Sequence, residues 1–352
     1  MSSAADLVDV LPAHRFDEEK LKSYLAGRLD GVEDELVIKQ FQGGQSNPTF
    51  LLQAGERRYV LRKKPPGKLL PSAHQVEREY KVINALGSTD VPVPTAHLLC
   101  ENADVIGTAF YVMDYCEGRV YSHPALTEVA RAERAPIFEA MADTLARLHS
   151  VDWRAVGLAD FGRPDGYIGR QIARWSKQYE ASKTDALPAM DKLMAWLPDN
   201  APQEDETSIA HGDYRLGNLM LHPERPEVIA ILDWELSTLG HPLADLAYCC
   251  LPYHMPSDTP GLRGLEGYDL AEQGIPSEEQ FLQAYCQRTG RSGIPQWNFF
   301  LAFSLFRLAA ILQGVYARAL QGNASNADAL EVGKRASVLA EIGWKLAQEA
   351  KG

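Results

Sequence analysis

The pattern of the chain changes at Cys116-Glu117-Gly118. Upstream, short β-branched runs are broken by turns. Downstream, apolar residues recur at i, i+3 and i+4. "ELVIKQF", Glu35 to Phe41, reads as a strand. "TFLLQAGERRYVLRKKPPG" reads as a hairpin: a strand, a turn at Ala54-Gly55, then "RRYVLRK" closed by Pro65-Pro66. "SAHQVEREYKVINALG" has the Ser start and Gly stop of a helix. "VPVPTAHLLC" and "GTAFYVMDYCEG" add two strands, and residues 13–29 a short amphipathic helix. After the boundary, "TEVARAERAPIFEAMADTLARLHSV" predicts a long helix, and the chain stays mainly helical to a last helix over Ala327 to Ala350. The exception is 209–235, which reads as a loop and two short strands. The expectation is an α+β molecule. Residues 1–115 form a small antiparallel sheet with one long helix, and residues 116–352 a larger, mainly helical part.

The bulk numbers limit what such a molecule does. At 352 residues and 45% hydrophobic content, the chain is long enough for a packed core in two parts. A formal net charge of −12 argues against nucleic acid as a partner, because phosphate-backbone affinity needs a basic surface. The five cysteines, Cys100, Cys116, Cys249, Cys250 and Cys286, show no CxxC spacing. They read as reduced thiols used as small hydrophobes in a cytoplasmic protein. The N-terminus lacks a basic stretch followed by an apolar run, so no secretion signal is expected. The apolar run Phe299 to Leu312 is 14 residues long and holds Arg307. It predicts a buried helix and no membrane partner.

The chemistry is concentrated in "HGDYRLGN", residues 211–218, and "ILDWE", residues 231–235. Asp213 and Asn218 stand five apart, each directly after a glycine, Gly212 and Gly217, in a segment that cannot be a helix interior. Asp233 ends an apolar strand. Two carboxylates and an amide of this kind suit phosphoryl transfer. One carboxylate orients the attacking hydroxyl, while an Asn and a second Asp hold Mg²⁺ with hard oxygens.

These stretches resemble the aminoglycoside phosphotransferase and choline-kinase-like superfamily, relatives of protein kinases, with the pattern H-G-D-x-x-x-x-N and a later Asp after a hydrophobic strand. The resemblance covers about residues 30 to 345 and implies a bilobal protein-kinase-like fold. It implies ATP and Mg²⁺ as cofactors, Asp213 as catalytic base, Asn218 and Asp233 as Mg²⁺ ligands, and Trp234 in the place of the D-F-G Phe. Arg215 is assigned to charge on the transferred phosphate. "GGQSNPTF" occupies the position of the Gly-rich turn over the ATP phosphates, with Gly43 and Gly44 allowing close approach and Ser46 and Asn47 as donors. "YVLR" fits the third-strand cation: alternation puts Val60 at the adenine and Arg62 at the phosphates, or Lys63 if the register slips by one. Its carboxylate partner is Glu79, with Glu77 the alternative. Met113 to Tyr115 fit the hinge that pairs with adenine. Asp245 matches a carboxylate bracing the catalytic loop, and His241 stands where many relatives carry Asp.

Three readings of the acceptor compete: a polycationic aminoglycoside, an anionic or CoA-linked hydroxy compound, and none at all in an inactive nucleotide binder. The base, the metal ligands and the phosphate-slot cation are all present, which disfavours the last. Residues 163–183 carry five basic residues against Asp165 and Glu180. Arg170, Arg174 and Lys177 fall at i, i+4, i+7 on one helix face. Such a face suits phosphate or a CoA group and repels an aminoglycoside. Lys63, Lys64 and Lys68 form a second basic run. "YVLRKKPPGKLLPSAHQVEREY", "GGQSNPTF" and "LGHPLADLAY" look most like phosphotransferase domains fused to, or encoded beside, acyl-CoA dehydrogenases. That resemblance implies a hydroxyacyl-CoA as the small-molecule acceptor and a functional link to such a dehydrogenase.

Overall fold

The alternating runs assemble into a six-stranded antiparallel sheet in the computed structural model, which describes residues 7–42, 47–66, 74–259, 262–321 and 329–350. In chain order its elements are β1 (Leu7–Val8), α1 (Glu18–Leu25), β2 (Leu36–Phe41), β3 (Thr49–Ala54), β4 (Arg57–Lys63), α2 (Val76–Leu86), β5 (Ala96–Cys100), α3 (Ala103–Ile106) and β6 (Phe110–Asp114). The spatial order is β1-β2-β3-β4-β6-β5, so β4 is a central strand. α1 is shorter than the expected span 13–29. Asp17 caps it by accepting from the Lys20 amide, and the chain turns out of the helix at Ala26. α2 begins after Gln75; the Ser72 expected to start it lies outside the described residues.

Period-two alternation gives the sheet two faces. One carries Phe50, Leu52, Leu61, Phe110 and Val112, which pack on Leu21 and Leu25 of α1 in a fully buried cluster. Each such side chain stabilises by roughly 1.5–3 kcal/mol on burial. The other face carries Leu51, Val60 and Met113 in cross-strand register, then Thr49, Arg62 and Tyr111. That second face bears the predicted nucleotide residues.

Beyond residue 121 come α4 (Arg131–Ser150), α5 (Tyr167–Ser182), α6 (Pro188–Asp199), β7 (Ser208–Ala210), β8 (Leu219–Leu221), β9 (Val228–Ile231), β10 (Thr238–Gly240), α7 (Pro242–Cys250), α8 (Leu270–Gln273), α9 (Glu278–Thr289), α10 (Trp297–Leu320) and α11 (Ala329–Glu349). Where two short strands were expected over 209–235 there are three, β7, β8 and β9, and β10 follows just beyond; they form the antiparallel pairs β8–β9 and β7–β10. The latter pair is three residues long, too short for alternation to register. α10 runs well past the expected Phe299 to Leu312. It is long and apolar enough to cross a bilayer, yet 72% of its most apolar window is buried. It packs against α5, α7 and α11.

The chain forms two compact units. One takes Met1–Tyr121, Arg154–Phe161 and Gly217–Ser237; the other takes Ser122–Trp153, Gly162–Leu216 and Thr238–Gly352. The first therefore holds the six-stranded sheet and the β8–β9 hairpin, and a single cut at residue 115 does not describe it. Reciprocal backbone hydrogen bonds between Arg119 and Leu221, each 2.8 Å, and Ile231 N to Pro92 O at 2.9 Å tie the hairpin in. Gly118 permits this approach: a Cβ there would stand 2.3 Å from the Leu221 oxygen. Of the five free cysteines, Cys100, Cys249 and Cys250 are buried and Cys116 and Cys286 half-buried.

Candidate active site

In the first unit, β4 presents Arg62 on the face opposite the α1 core. Arg62 Nε lies 3.1 Å from Glu79 Oε2, and its Nη2 lies 2.8 Å from Asp233 Oδ1 and 3.7 Å from Glu235 Oε2. Lys63 points the other way, buried, with its ammonium 5.4 Å from the Phe16 ring centre and 6.0 Å from that of Phe50. Its pKa is lowered by that burial. Glu77 pairs with Lys64. Strand alternation thus brings Arg62 to Glu79, while Lys63 lies on the opposite face and Glu77 pairs with Lys64.

Glu79 is 1% exposed. Its carboxylate also accepts from Asn47 Nδ2 at 2.6 Å and from the Tyr111 hydroxyl at 3.0 Å. Burial pushes its pKa up to about 7, with Arg62 opposing. Burial works against the Arg62 charge, but Glu79, Tyr111 and Asp233 more than offset it and hold the guanidinium above its usual range. Asn47 is committed to Glu79 and, through Oδ1, to His74 Nδ1 at 3.1 Å. Its side chain braces the ion pair. Gly43, Gly44 and Ser46 lie outside the described residues, as does Lys68. Val60 is buried directly across from half-buried Met113, which gives the sheet face an apolar strip. Tyr115 stacks on Phe41 at 6.5 Å and lies under Arg58 at 4.5 Å.

The β8–β9 hairpin positions the two predicted metal ligands. Leu232 N donates to Asn218 O at 2.8 Å, so Asn218 sits opposite the residue before Asp233. Asp233 adopts a left-handed backbone, φ 63°, that ends the strand and turns Trp234 inward. The Trp234 indole donates to Ile231 O at 3.0 Å. Arg78, which the sequence reading passed over, donates from α2 to Phe161 O at 2.6 Å and Ser237 O at 3.3 Å, clamping the chain after Asp233. Asn218 and Asp233 offer one amide and one carboxylate, all hard oxygen. Among the described residues no three His, Cys, Asp or Glu side chains gather into a metal cage. A sparse oxygen pair fits Mg²⁺, which keeps waters and leans on phosphates.

The second unit holds the rest of the loop. Asp245, on α7, accepts from the amides of His211 at 2.7 Å and Gly212 at 2.8 Å, and lies 3.4 Å from His149 Nε2. His149 Nδ1 lies 2.8 Å from the Tyr285 hydroxyl. Burial would raise the Asp245 pKa, but the His149 and His211 interactions hold it below its usual value. Gly212 has φ 84°, the left-handed turn that delivers Asp213. The buried Tyr214 hydroxyl anchors the loop on Met141 O at 2.8 Å.

Asp213 is half-buried. Its Oδ1 accepts from the Tyr248 hydroxyl at 2.6 Å, and its Oδ2 lies 3.2 Å from Arg215 Nε. Burial, then Asp213, raises the Tyr248 pKa, so the phenol stays a donor. Tyr248 escaped the sequence reading. Its signal was spacing: three residues after Asp245, it shares that helix face. His241 is buried and caps α7, its Nδ1 accepting from Leu243 N at 3.2 Å. Burial lowers its pKa to about 4.

α5 places Arg170, Arg174 and Lys177 on one face, as the spacing predicts. Arg170 donates to Arg163 O at 2.7 Å and Arg174 lies 5.3 Å from the Trp175 ring centre. Arg174 and Lys177 are exposed.

The chain belongs to the phosphotransferase enzyme family, whose model matches residues 37–297. It is a small-molecule kinase of the protein-kinase-like fold. A Ralstonia eutropha protein provisionally described as an aminoglycoside phosphotransferase has a solved structure that matches with a TM-score of 0.88 and 49% identity, covering 95% of this chain and 99% of that one. A spectinomycin phosphotransferase solved with ADP and spectinomycin matches with a TM-score of 0.61 at 13% identity, over 94% and 98% of the two chains, which shows the fold. Acyl-CoA dehydrogenase family member 10 of Mus musculus is 48% identical over 332 residues, 94% of this chain and 31% of the relative. The chain spans 31% of that relative's length and 45% of that of acyl-CoA dehydrogenase family member 11 of Rattus norvegicus, which is 46% identical over 355 residues, 99% of this chain.

Proposed function

We propose that this protein transfers a phosphoryl group from ATP, with Mg²⁺, to a hydroxyl of a hydroxyacyl-CoA or a similar anionic hydroxy compound. The observation that carries the phosphotransfer reading is the fixed carboxylate of Asp213. Tyr248 and Arg215 hold one oxygen each, on a loop braced by Asp245.

In this reading Asp213 receives the acceptor's hydroxyl proton as that oxygen bonds to the γ-phosphorus. The bond from the γ-phosphorus to the β–γ bridging oxygen breaks, and ADP leaves. Arg215 offsets charge on the moving group, and Arg62, held by Glu79, serves the donor phosphates. Mg²⁺, when bound by Asn218 and Asp233, would neutralise charge on the donor phosphates. Val60 and Met113 supply the apolar strip suited to adenine. Support for nucleotide use comes from the spectinomycin kinase solved with ADP.

Support for the acceptor class comes from the relatives' names and from the basic face of α5. A functional partnership with an acyl-CoA dehydrogenase, in the cytoplasm, belongs to the same proposal. The test is a coupled ADP-release assay of hydroxyacyl-CoAs against aminoglycosides and choline. We expect turnover with the acyl compounds. Turnover with the cationic compounds alone overturns the acceptor assignment.

A further inference from the structure

Charge balance along α10 separates one residue from its neighbours. The helix is largely apolar, and other buried polar side chains on it have protein partners. Ser304 donates to Ala244 O at 3.4 Å, and Gln313 donates to Ser182 O at 3.0 Å and Thr184 Oγ1 at 2.9 Å. Arg307 differs. It is 9% exposed, between buried Phe303, Phe306 and Ala310. Its Nη2 donates to Gly212 O at 2.8 Å, and its Nε is buried with no hydrogen-bond partner. No carboxylate among the described residues forms an ion pair with it. Two rings also lie near it: the guanidinium carbon is 5.9 Å from the Trp175 ring centre and 5.8 Å from that of Tyr248.

An arginine cannot shed its proton to escape this. Buried charges in proteins are ordinarily paired, because desolvation outweighs what a single carbonyl and two ring faces return. The location gives the imbalance a use. Gly212 is the residue before Asp213, and the Tyr248 that faces Arg307 donates through its hydroxyl to Asp213. A planar cation with spare donors therefore stands beside the catalytic base, within one unit of the fold. It suits an oxygen acceptor close to the reacting hydroxyl.

We propose that Arg307 is a specificity residue of the acceptor site. It binds the acyl oxygen of the acceptor, a thioester carbonyl or a free carboxylate, a few bonds from the hydroxyl whose proton Asp213 receives. The inference rests on the reading of the acceptor as a hydroxyacyl compound and deepens it. It also supplies a discrimination: a buried fixed cation beside the base repels the ammonium groups of an aminoglycoside.

The experiment compares wild type, Arg307→Gln and Arg307→Lys. Each receives hydroxyacyl-CoAs of graded chain length, the corresponding free hydroxy acids, and the matching diols that lack the carbonyl. Calorimetry reads binding, coupled ADP release reads KM and kcat, and the rise in Tm with ATP and Mg²⁺ reports an intact donor site. Arg307→Gln should weaken binding and raise KM for the acyl compounds about ten- to a hundredfold, the range for a hydrogen bond to a charged group. Binding of the diols should change less than about twofold, and Arg307→Lys should recover part of the loss. Whether the thioester or the free acid responds more identifies the oxygen.

Equal losses on acyl compounds and diols make Arg307 a structural clamp for Gly212 and overturn the inference. So does an unchanged acyl KM in an enzyme that turns over acyl compounds; there the proposed reaction stands. Arg307-dependent binding of acyl compounds with no ADP release upholds the residue and sinks the reaction. If the wild type neither binds nor phosphorylates them, both fall. Should Arg307→Gln fail to fold, Arg307→Lys against the acyl and diol series gives the same decision.

Discussion

Arg62 and Arg307 are both guanidiniums withdrawn from water, and their surroundings are opposite. Arg62 touches three carboxylates, Glu79, Asp233 and Glu235, within 3.1, 2.8 and 3.7 Å. Arg307 has a carbonyl and two aromatic faces. The first charge is neutralised by the protein and therefore organises it: strand β4, helix α2 and the turn at Asp233 meet on one side chain. The second has no ion-pair partner among the described residues. A cation balanced internally can organise its unit while it serves the donor phosphates, whereas one without an ion-pair partner is available for recognition of the acceptor.

That contrast can be tested from several directions. The largest effect should come from the base. Asp213→Asn is expected to lower kcat about 10²- to 10⁴-fold while the Tm rise with ATP and Mg²⁺ persists, which single-turnover assays and thermal melts would show. Retained activity would remove Asp213 from the chemistry.

Next, Arg62→Met strips the cation from the buried carboxylate of Glu79 and from half-buried Asp233, and should cost about 3–5 kcal/mol of stability, measured by urea unfolding. A loss under about 1 kcal/mol would mean that Arg62 does not organise its unit.

Third, His241 should give an acid-labile core. Its folded pKa of about 4 lies below its ordinary 6.5. The unfolded chain takes up a proton below pH 6.5 that the folded chain refuses until about 4, so this stability is present above 6.5 and lost as pH falls toward 4. The full loss is about 3 kcal/mol. His241→Asn, which keeps a capping oxygen, should flatten that limb of the stability–pH curve.

Tyr248→Phe should lower kcat about tenfold with KM for ATP unchanged, since it removes one hydrogen bond to a charged oxygen. The smallest effect sharpens the opening contrast. Arg307→Met should change unfolding stability by no more than about 1 kcal/mol, because relief of an unpaired charge offsets the lost Gly212 bond. A loss as large as that of Arg62→Met would erase the distinction.

Much of this was legible in the residues, for reasons that differ by element. Strand alternation in "RRYVLRK" narrowed the cation to Arg62 or Lys63. Only the partners of β4 could choose, because a one-residue slip exchanges the two faces. Asp213, Asn218 and Asp233 stood out as candidates through their spacing, and the structure puts Asp213 on a braced loop and Asn218 opposite the residue before Asp233. Tyr248 did not, since its hydroxyl reaches Asp213 across 35 positions of chain. Arg307 appeared as a polar interruption in an apolar helix. Its meaning depends on Gly212, 95 residues away. The β7–β10 pair was invisible because its strands are shorter than a period can reveal.

The membership of Gly217–Ser237 in the first compact unit has a bearing on how such enzymes can be recombined. The base Asp213 and the residues Asn218 and Asp233 are neighbours in sequence, yet the division between units falls between Leu216 and Gly217. A chimera that exchanges only the first 121 residues with a relative would pair one parent's Arg62 with the other parent's Asp233. On the proposed reading, donor specificity therefore cannot be transplanted as one contiguous cassette. It travels as three segments or not at all, and drift in Arg62, Arg78 or Glu79 is tied to drift in a hairpin encoded more than a hundred codons downstream.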